Sequence, residues 1–372
     1  MLLILPIFAI LLPAALIMVM GKPRFLREIP QPQKHAETPP SISIIVPARN
    51  EEDNIPKLLE SFHSEKQFIH ETIIVDDEST DATKSLSEQG GAKVITSEPL
   101  PEDWKGKPWA CLQGAVAAEG EWLLFLDSDV RLHPGAMRKI TDLIENGDTN
   151  TAYSIYPYHA IEKPYEELSA YFNSLMVAGV GAFGCFELDG RDPALFGQCL
   201  LIPKRLYLLI DGHAAVKDKV LENFHLAKHL KEAHGRCLCY LGEGLISMRM
   251  FPKGYKELWN SWKKGFASGA AHTDINALIF SSAWVAGGMF SVISMLIGLT
   301  PLGTPAFVIF TIMSYVSNVI AAYWAFQIAG RFSMWNAALF PISLLFYQVL
   351  FAKSVIDRKK GIKTTWKGRP VD

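Results

Sequence analysis

Between Thr273 and Ala352 the chain carries only two charged residues, Asp274 and Arg331. A stretch so long and so poor in charge is read as membrane rather than as soluble core. It holds three apolar runs, Asn276–Leu299, Pro305–Ala329 and Met334–Ala352. About 20 apolar residues cross a bilayer, so the first two runs are spans joined by the uncharged outer turn Thr300–Thr304. The third is short and contains Pro341, which leaves it either a third span or re-entrant. The charge pattern does not decide. Three spans after a cytoplasmic domain put the tail outside. Lys353–Asp372 carries seven cations against two anions, and that excess prefers the inside.

The N-terminus adds a further apolar segment. Met1–Met20 is uncharged and is followed by Lys22, Arg24 and Arg27. It lacks a basic n-region, so it reads as an uncleaved anchor over 1–21 rather than a signal peptide, with a cytoplasmic domain following it. Residues 22–40 read as a linker, because Ile29–Ser41 holds four prolines and extends rather than folds. Leu168–Phe186 is apolar but Gly-rich and includes Asn173 and Ser174, which suits an interfacial or core helix. The formal charge of −2 gives no support for nucleic-acid binding. Five scattered cysteines form no disulfide framework and fit reduced cytosolic thiols.

Residues 41–270 alternate strand-like and helical patterns. Strands are expected at Ile42–Val46, Thr72–Asp76, Ala92–Thr96 and Trp122–Leu126. Helices are expected after Asn54, which can cap, over Thr80–Gln89 and over Ala110–Ala118. This alternation predicts an α/β domain with a mostly parallel sheet, flanked by N- and C-terminal transmembrane helices. Ligands of such sheets bind beyond the carboxyl ends of the strands. There the sequence places Pro47-Ala48-Arg49-Asn50-Glu51-Glu52, then Asp76-Asp77-Glu78, then Asp127-Ser128-Asp129. An Asp-x-Asp pair at a strand end can hold a hard cation, Mg²⁺ or Mn²⁺, that shares its remaining sites with water and a diphosphate. One such pair is most often a solvated turn; three acidic strand ends on one sheet edge are a far stronger signal. No Gly-rich phosphate loop is present, which argues against a Rossmann dehydrogenase or a P-loop ATPase.

These motifs, with the intervening Gly106-Lys107-x-x-Ala110, resemble the family 2 glycosyltransferases of the GT-A fold over roughly residues 41–270. Softer motifs resemble the branch of that family that glycosylates carotenoid acids in pigment-making bacteria. They include Tyr156-Pro157-Tyr158-His159, Asp189-Gly190-Arg191, Gly254–Ala270 and Trp366-Lys367-Gly368-Arg369. The resemblance implies a UDP-sugar donor, with Asp77 on the uracil, Pro47, Arg49 and Glu51 lining the nucleotide pocket, and Lys107 holding the donor. It also implies Asp127 beside ribose and metal, Asp129 as the direct metal ligand, and inversion at the anomeric carbon.

Two departures from the family pattern carry information. Where many relatives place a Glu-Asp pair whose Asp is the general base, this chain has Glu222-Asn223. An amide accepts no proton, whereas a carboxylate or phosphate nucleophile is already ionised at neutral pH. The acceptor is therefore expected to be an anionic, lipid-soluble molecule, unless Glu222 or Asp218 serves as base. In place of the family's Gln-x-x-Arg-Trp stands Ser261-Trp262-Lys263-Lys264-Gly265. There Lys264 is expected to face the leaving diphosphate, although a lysine does not reproduce an arginine's fork. The same segment equally fits an amphipathic interfacial helix through Tyr255, Leu258, Trp259, Trp262 and Phe266.

Other features rate lower. His225, His229 and His234 lie on what reads as a solvated helix face, and Cys237-x-Cys239 has no second pair. Asp189, Arg191 and Asp192 form an acceptor loop or a plain turn, and His213 faces the site or ends a turn.

The expectation is a multi-pass cell-membrane glycosyltransferase with a cytoplasmic catalytic domain. It moves glucose from UDP-glucose to a C30 carotenoid carboxylate. A polyprenyl-phosphate or glycolipid transferase is the near alternative, and a processive polysaccharide synthase or an inactive membrane scaffold the remote ones.

Overall fold

Parallel strands covered on both faces need apolar side chains at nearly every position, and Ile44, Ile45, Val46, Ile73, Ile74 and Val75 are all fully buried. The structure, a computed structural model, describes residues 3–370 apart from 35, 37, 186–193, 220–221, 273, 361–364 and 367–368; side chains are also not described at 264–272, 358, 365–366 and 369–370. The chain divides into two compact units. One comprises Arg24–Tyr158, Asp192–Arg249 and Lys363–Asp372; the other comprises Met1–Pro23, His159–Arg191 and Met250–Ile362.

The first unit is built on β1 (Ile42–Ala48), β2 (Glu71–Asp76), β3 (Lys93–Thr96), β4 (Trp122–Leu126), β5 (Val130–Leu132), β6 (Thr151–Tyr156), β7 (Cys199–Pro203), β8 (Arg236–Leu241) and β9 (Ile246–Met248). Seven of these form one sheet in the order β3-β2-β1-β4-β7-β6-β8. β7 runs antiparallel to β4 and β6, while the other pairings are parallel. The expected mostly parallel sheet is observed, with the antiparallel β7 as an addition. β5 and β9 pair separately. The helix Gly106–Ala117 lies close on the sheet because Gly114 has no side chain: a Cβ there would come within 2.4 Å of Ile45. That approach sets the position of Lys107 in its first turn. The segment read as an extended linker is docked on this unit. Arg24 O accepts from Leu241 N at 2.7 Å, Arg27 pairs with Glu243 at 2.7 Å, and Asn146 donates to Pro30 O at 2.9 Å.

The second unit inverts the usual polarity. Three of its helices, Ile275–Gly298, Pro305–Ala329 and Phe340–Asp357, are long and apolar enough to cross a bilayer. Ser291, Ser294, Ser314 and Asn318 are buried, while Leu296, Ile309, Ile312 and Ile320 are more than half exposed. Small and polar residues inside with aliphatic residues outside is the pattern of helices packed in lipid. The N-terminal segment expected to be an anchor is helical over Ile4–Met20, a shorter apolar helix than these three. At 1.5 Å per residue it reaches roughly 25 Å against a hydrocarbon core of roughly 30 Å. Pro13 interrupts it and cannot donate to the carbonyl of Ala9. Asn318 Nδ2 takes that role at 2.9 Å, and Ser317 Oγ donates to Ile10 O at 3.1 Å. Ala170–Gly179 is a short, mostly buried helix of this unit, the core-helix alternative of the sequence reading.

The run expected over Met334–Ala352 breaks at Leu339 into Met334–Ala338 and Phe340–Lys359, and Pro341 sits in the first turn, where its missing N–H costs nothing. Its neighbours give its direction. Phe340 lies 5.2 Å from Tyr315, and Leu344 and Phe340 press on Gly288. Tyr347 lies 6.2 Å from Tyr171, which in turn stacks on Trp284 and meets Phe326. The third helix therefore starts level with the middle of the second and runs parallel to it. Beyond, Asp357 pairs with Lys263 at 3.0 Å and Lys353 at 2.8 Å.

Two outcomes follow. Asn318→Leu leaves the Ala9 carbonyl unsatisfied and should cost about 1 kcal/mol of stability, read as a lowered unfolding midpoint in detergent. In a cysteine-free background, Leu302→Cys and Lys360→Cys should be labelled from opposite faces of sealed vesicles. Labelling from the same face would mean that the third helix crosses completely.

Candidate active site

At the carboxyl edge of the sheet the loops after β1 and β2 are tied together. Asn50 N donates to Ser79 Oγ at 2.9 Å, Thr80 N to Asn50 Oδ1 at 2.8 Å, and Glu51 N to Thr83 Oγ1 at 2.7 Å. Asn50 and Glu78 both adopt left-handed backbone, with φ of 52° and 54°. Such strain at non-glycine residues persists where surrounding bonds over-determine it and is concentrated at functional sites. Arg49 crosses between the loops: Nη1 donates to Asp77 O at 2.7 Å and lies 3.3 Å from Glu78 Oε2 and 4.0 Å from Asp77 Oδ2. Asp77 is buried.

Beside β4, Pro47, Lys107, Asp127, Gly197, His213 and Asn223 line one pocket. Lys107 Nζ sits 2.6 Å from Asp127 Oδ1 and 3.7 Å from Glu222 Oε1. Burial pulls the ammonium's pKa down, but the two carboxylates outweigh it and hold Lys107 above the ordinary lysine range. Glu222 is the more distant partner, so for it burial wins and its pKa is raised. Asn223 Nδ2 donates to the same Glu222 oxygen at 3.1 Å. Asp218, the other alternative base, pairs with its neighbour Lys219 on the surface.

His213 is fixed by the turn at Gly212, where a Cβ would strike the Tyr207 ring at 2.2 Å. His213 N donates to the Tyr207 hydroxyl at 3.1 Å, and the same hydroxyl lies 2.9 Å from His213 Nδ1, within hydrogen-bond distance. Burial, with Lys107 nearby, pushes the imidazole pKa down to about 3. His213 is therefore neutral at physiological pH.

Asp129 Oδ1 is buried and, among the described residues, has no hydrogen-bond partner. Burial first, then the charges of Asp127 and Glu51, push its pKa up to about 7, with Arg131 and Lys107 only partly offsetting them. A buried, unpartnered carboxylate oxygen fits a hard divalent cation. Among the described residues no three His, Cys, Asp or Glu side chains gather into a full ligand set. That suits a cation completed by water and substrate oxygens rather than a closed protein cage. Asp127 is already engaged by Lys107, which leaves Asp129 as the better ligand.

Of the residues singled out from sequence, Pro47, Lys107, Asp127 and Glu222 meet around this pocket, and Arg49, Glu51, Asp77 and Asp129 line the same sheet edge. Lys264 falls in the helix Tyr255–His272, with its side chain outside the described residues. Asp189, Arg191 and Asp192 also lie outside them. Sequence reasoning passed over Arg131, whose signal was a charge inside the three-residue β5. It also gave Asn54 the wrong task. Asn54 precedes the helix Ile55–Ser61 but makes no side-chain cap; its amide serves Glu51 and Arg131 instead.

Residues 43–189 match the family described as glycosyl transferase family 2. The 4,4'-diaponeurosporenoate glycosyltransferase of Staphylococcus haemolyticus is 34% identical over 258 residues, 68% of each chain. The Staphylococcus aureus protein of the same name is 27% identical over 332 residues, 88% of each. Among solved structures, a mannosyltransferase from Pyrobaculum calidifontis in complex with GDP-Man and Mn²⁺ shares the fold, with a TM-score of 0.50 and 16% identity over 86% of this chain and 98% of that one.

The raised Asp129 pKa has a definite sign. The stability associated with its neutral form is complete below pH 3.8 and is lost as pH rises through about 7. Metal-free Asp129→Asn should therefore unfold at a higher temperature than the parent at pH 8, with the gap closing below pH 4. Its turnover should fall at least about 100-fold. A lower midpoint at pH 8 would contradict this electrostatic account.

Proposed function

This chain belongs to glycosyl transferase family 2, and from that membership we propose that it moves glucose from UDP-glucose to the carboxylate of 4,4'-diaponeurosporenoate, making a glycosyl ester at the cytoplasmic face of the cell membrane. The observation that carries the choice of acceptor is the pairing of Glu222 with Lys107 and Asn223 at the position where a general base is otherwise expected. An alcohol must lose its proton as it attacks. A carboxylate attacks as it is: its oxygen bonds to the anomeric carbon, the bond from that carbon to the diphosphate oxygen breaks, and UDP leaves with the electron pair. No proton moves. The names of the two staphylococcal relatives support the same acceptor.

The residues have separate tasks in this reading. Asp77, with Arg49 and Pro47, receives the uridine, and Glu51 borders the nucleotide. Lys107 holds the donor, is kept charged by Asp127 and Glu222, and answers the charge that develops on the leaving group. Asp129, with Asp127 beside it, would hold Mg²⁺ or Mn²⁺, which when bound supplies Lewis-acid charge for the departing diphosphate. Lys264 would add positive charge near that group. Lys22, Arg24 and Arg27 after the N-terminal helix support the cytoplasmic orientation. The apolar helices keep the enzyme where an oily acid presents its polar end. A polyprenyl phosphate is equally ionised and is the alternative acceptor.

In a host that makes the carotenoid acid, expression should add one hexose to the pigment by mass, and mild alkali should remove it. Glu222→Gln should retain activity on the acid to within about tenfold, because no proton is to be taken; a general base would cost about 10²–10⁴. Loss on that larger scale, or a product stable to alkali, would overturn the proposal.

A further inference from the structure

We propose that Arg131, acting with Asn54, is the positioning residue that orients Asp129 toward a cation and Glu51 toward the donor. Arg131 Nη1 donates to Ser128 O at 2.8 Å and to Val130 O at 2.6 Å, the two peptide carbonyls on either side of Asp129. Its Nη2 donates to Asn54 Oδ1 at 3.1 Å, and Asn54 Nδ2 donates to Glu51 Oε2 at 2.8 Å. One planar guanidinium thus spans the turn that carries Asp129 and, through an amide relay, the carboxylate that follows β1.

The choice of partners is informative. A half-buried arginine among carboxylates ordinarily forms a forked ion pair with one of them. Here, among the described residues, Arg131 binds carbonyls and an amide, and Asp129 Oδ1 keeps no partner. The positive charge still offsets the repulsion between Asp129 and Glu51, since each of these carboxylates interacts with it electrostatically. Arg131 therefore supplies charge without occupying the oxygen that a cation needs. A lysine ammonium has no planar fork to reach two carbonyls and an amide together.

The inference rests on the donor-site reading above, and the test separates the two. Full-length protein in detergent, saturated with UDP, is titrated with Mn²⁺, and free Mn²⁺ is read by electron paramagnetic resonance, with the unfolding midpoint measured in parallel. Arg131→Lys should weaken Mn²⁺ binding about 10-fold and Arg131→Gln up to about 100-fold, the range seen when partners of a metal ligand are removed. Asn54→Ala breaks only the relay to Glu51. It should weaken UDP binding by about fivefold to tenfold and leave the Mn²⁺ affinity at saturating UDP within threefold, a split that a general loss of stability does not produce. Mn²⁺ affinity within twofold of the parent in Arg131→Lys, or unchanged UDP affinity in Asn54→Ala, overturns the inference. Should either arginine variant fail to fold, the Asn54→Ala split still decides. Parent protein that binds no Mn²⁺ in the presence of UDP overturns the donor-site reading itself.

Discussion

The carboxylates Glu51, Asp127, Asp129 and Glu222 interact with two cations, Lys107 and Arg131, while Arg49 on the same sheet edge is paired with Asp77 and Glu78. That imbalance is the constraint from which the rest of the catalytic unit follows. Carboxylate repulsion at partly buried positions is costly, and a bound divalent cation would relieve it. The two resident cations are placed asymmetrically. Lys107 contacts Asp127 directly, whereas Arg131 grips backbone and leaves Asp129 bare. Among the described residues Asp129 Oδ1 is thus the carboxylate oxygen left without a hydrogen-bond partner, the one on which the proposed cation would bind.

The apolar unit answers a different physical demand with the same economy of polar groups. One turn before Pro13, and beside the break at Leu339, side chains from a neighbouring helix hydrogen-bond backbone carbonyls. Asn318 and Ser317 serve the carbonyls beside Pro13, and Tyr315 donates to Ala338 O at 2.6 Å, next to the break at Leu339. In hydrocarbon no water would do this work. Proline and a broken helix are tolerated at those depths only because the polar side chains of Pro305–Ala329 face inward.

Both units were largely legible in the sequence, for different reasons. The strands Ile42–Ala48, Glu71–Asp76 and Trp122–Leu126 announce themselves because their centres are buried and almost every position there is apolar. The acidic residues just past them follow from the rule that open α/β sheets bind ligands at that edge. The antiparallel β7 was not legible: Cys199–Pro203 is apolar like its neighbours, and direction is fixed by the return path of the chain, which periodicity does not encode. Asn54 shows the same limit at a single side chain. Its place before a helix predicts a cap, yet a guanidinium from β5, far along the chain, competes for its carbonyl oxygen and wins. The third apolar run was ambiguous for a similar cause, since hydropathy counts residues but does not say which neighbours they meet.

Asn223 illustrates how a substitution that removes a catalytic option can be consistent with efficient chemistry. A carboxylate base at that position would add a further negative charge beside Asp127 and Glu222, and would repel the proposed anionic acceptor. An amide avoids both. It donates to Glu222, which steadies the carboxylate that keeps Lys107 charged. For an acceptor that needs no deprotonation, the demand on the site shifts from taking a proton to tolerating a second anion beside the diphosphate. In that reading the half-buried Lys107, kept charged by its two carboxylate neighbours, would answer the added negative charge, and the neutral His213 adds no competing one.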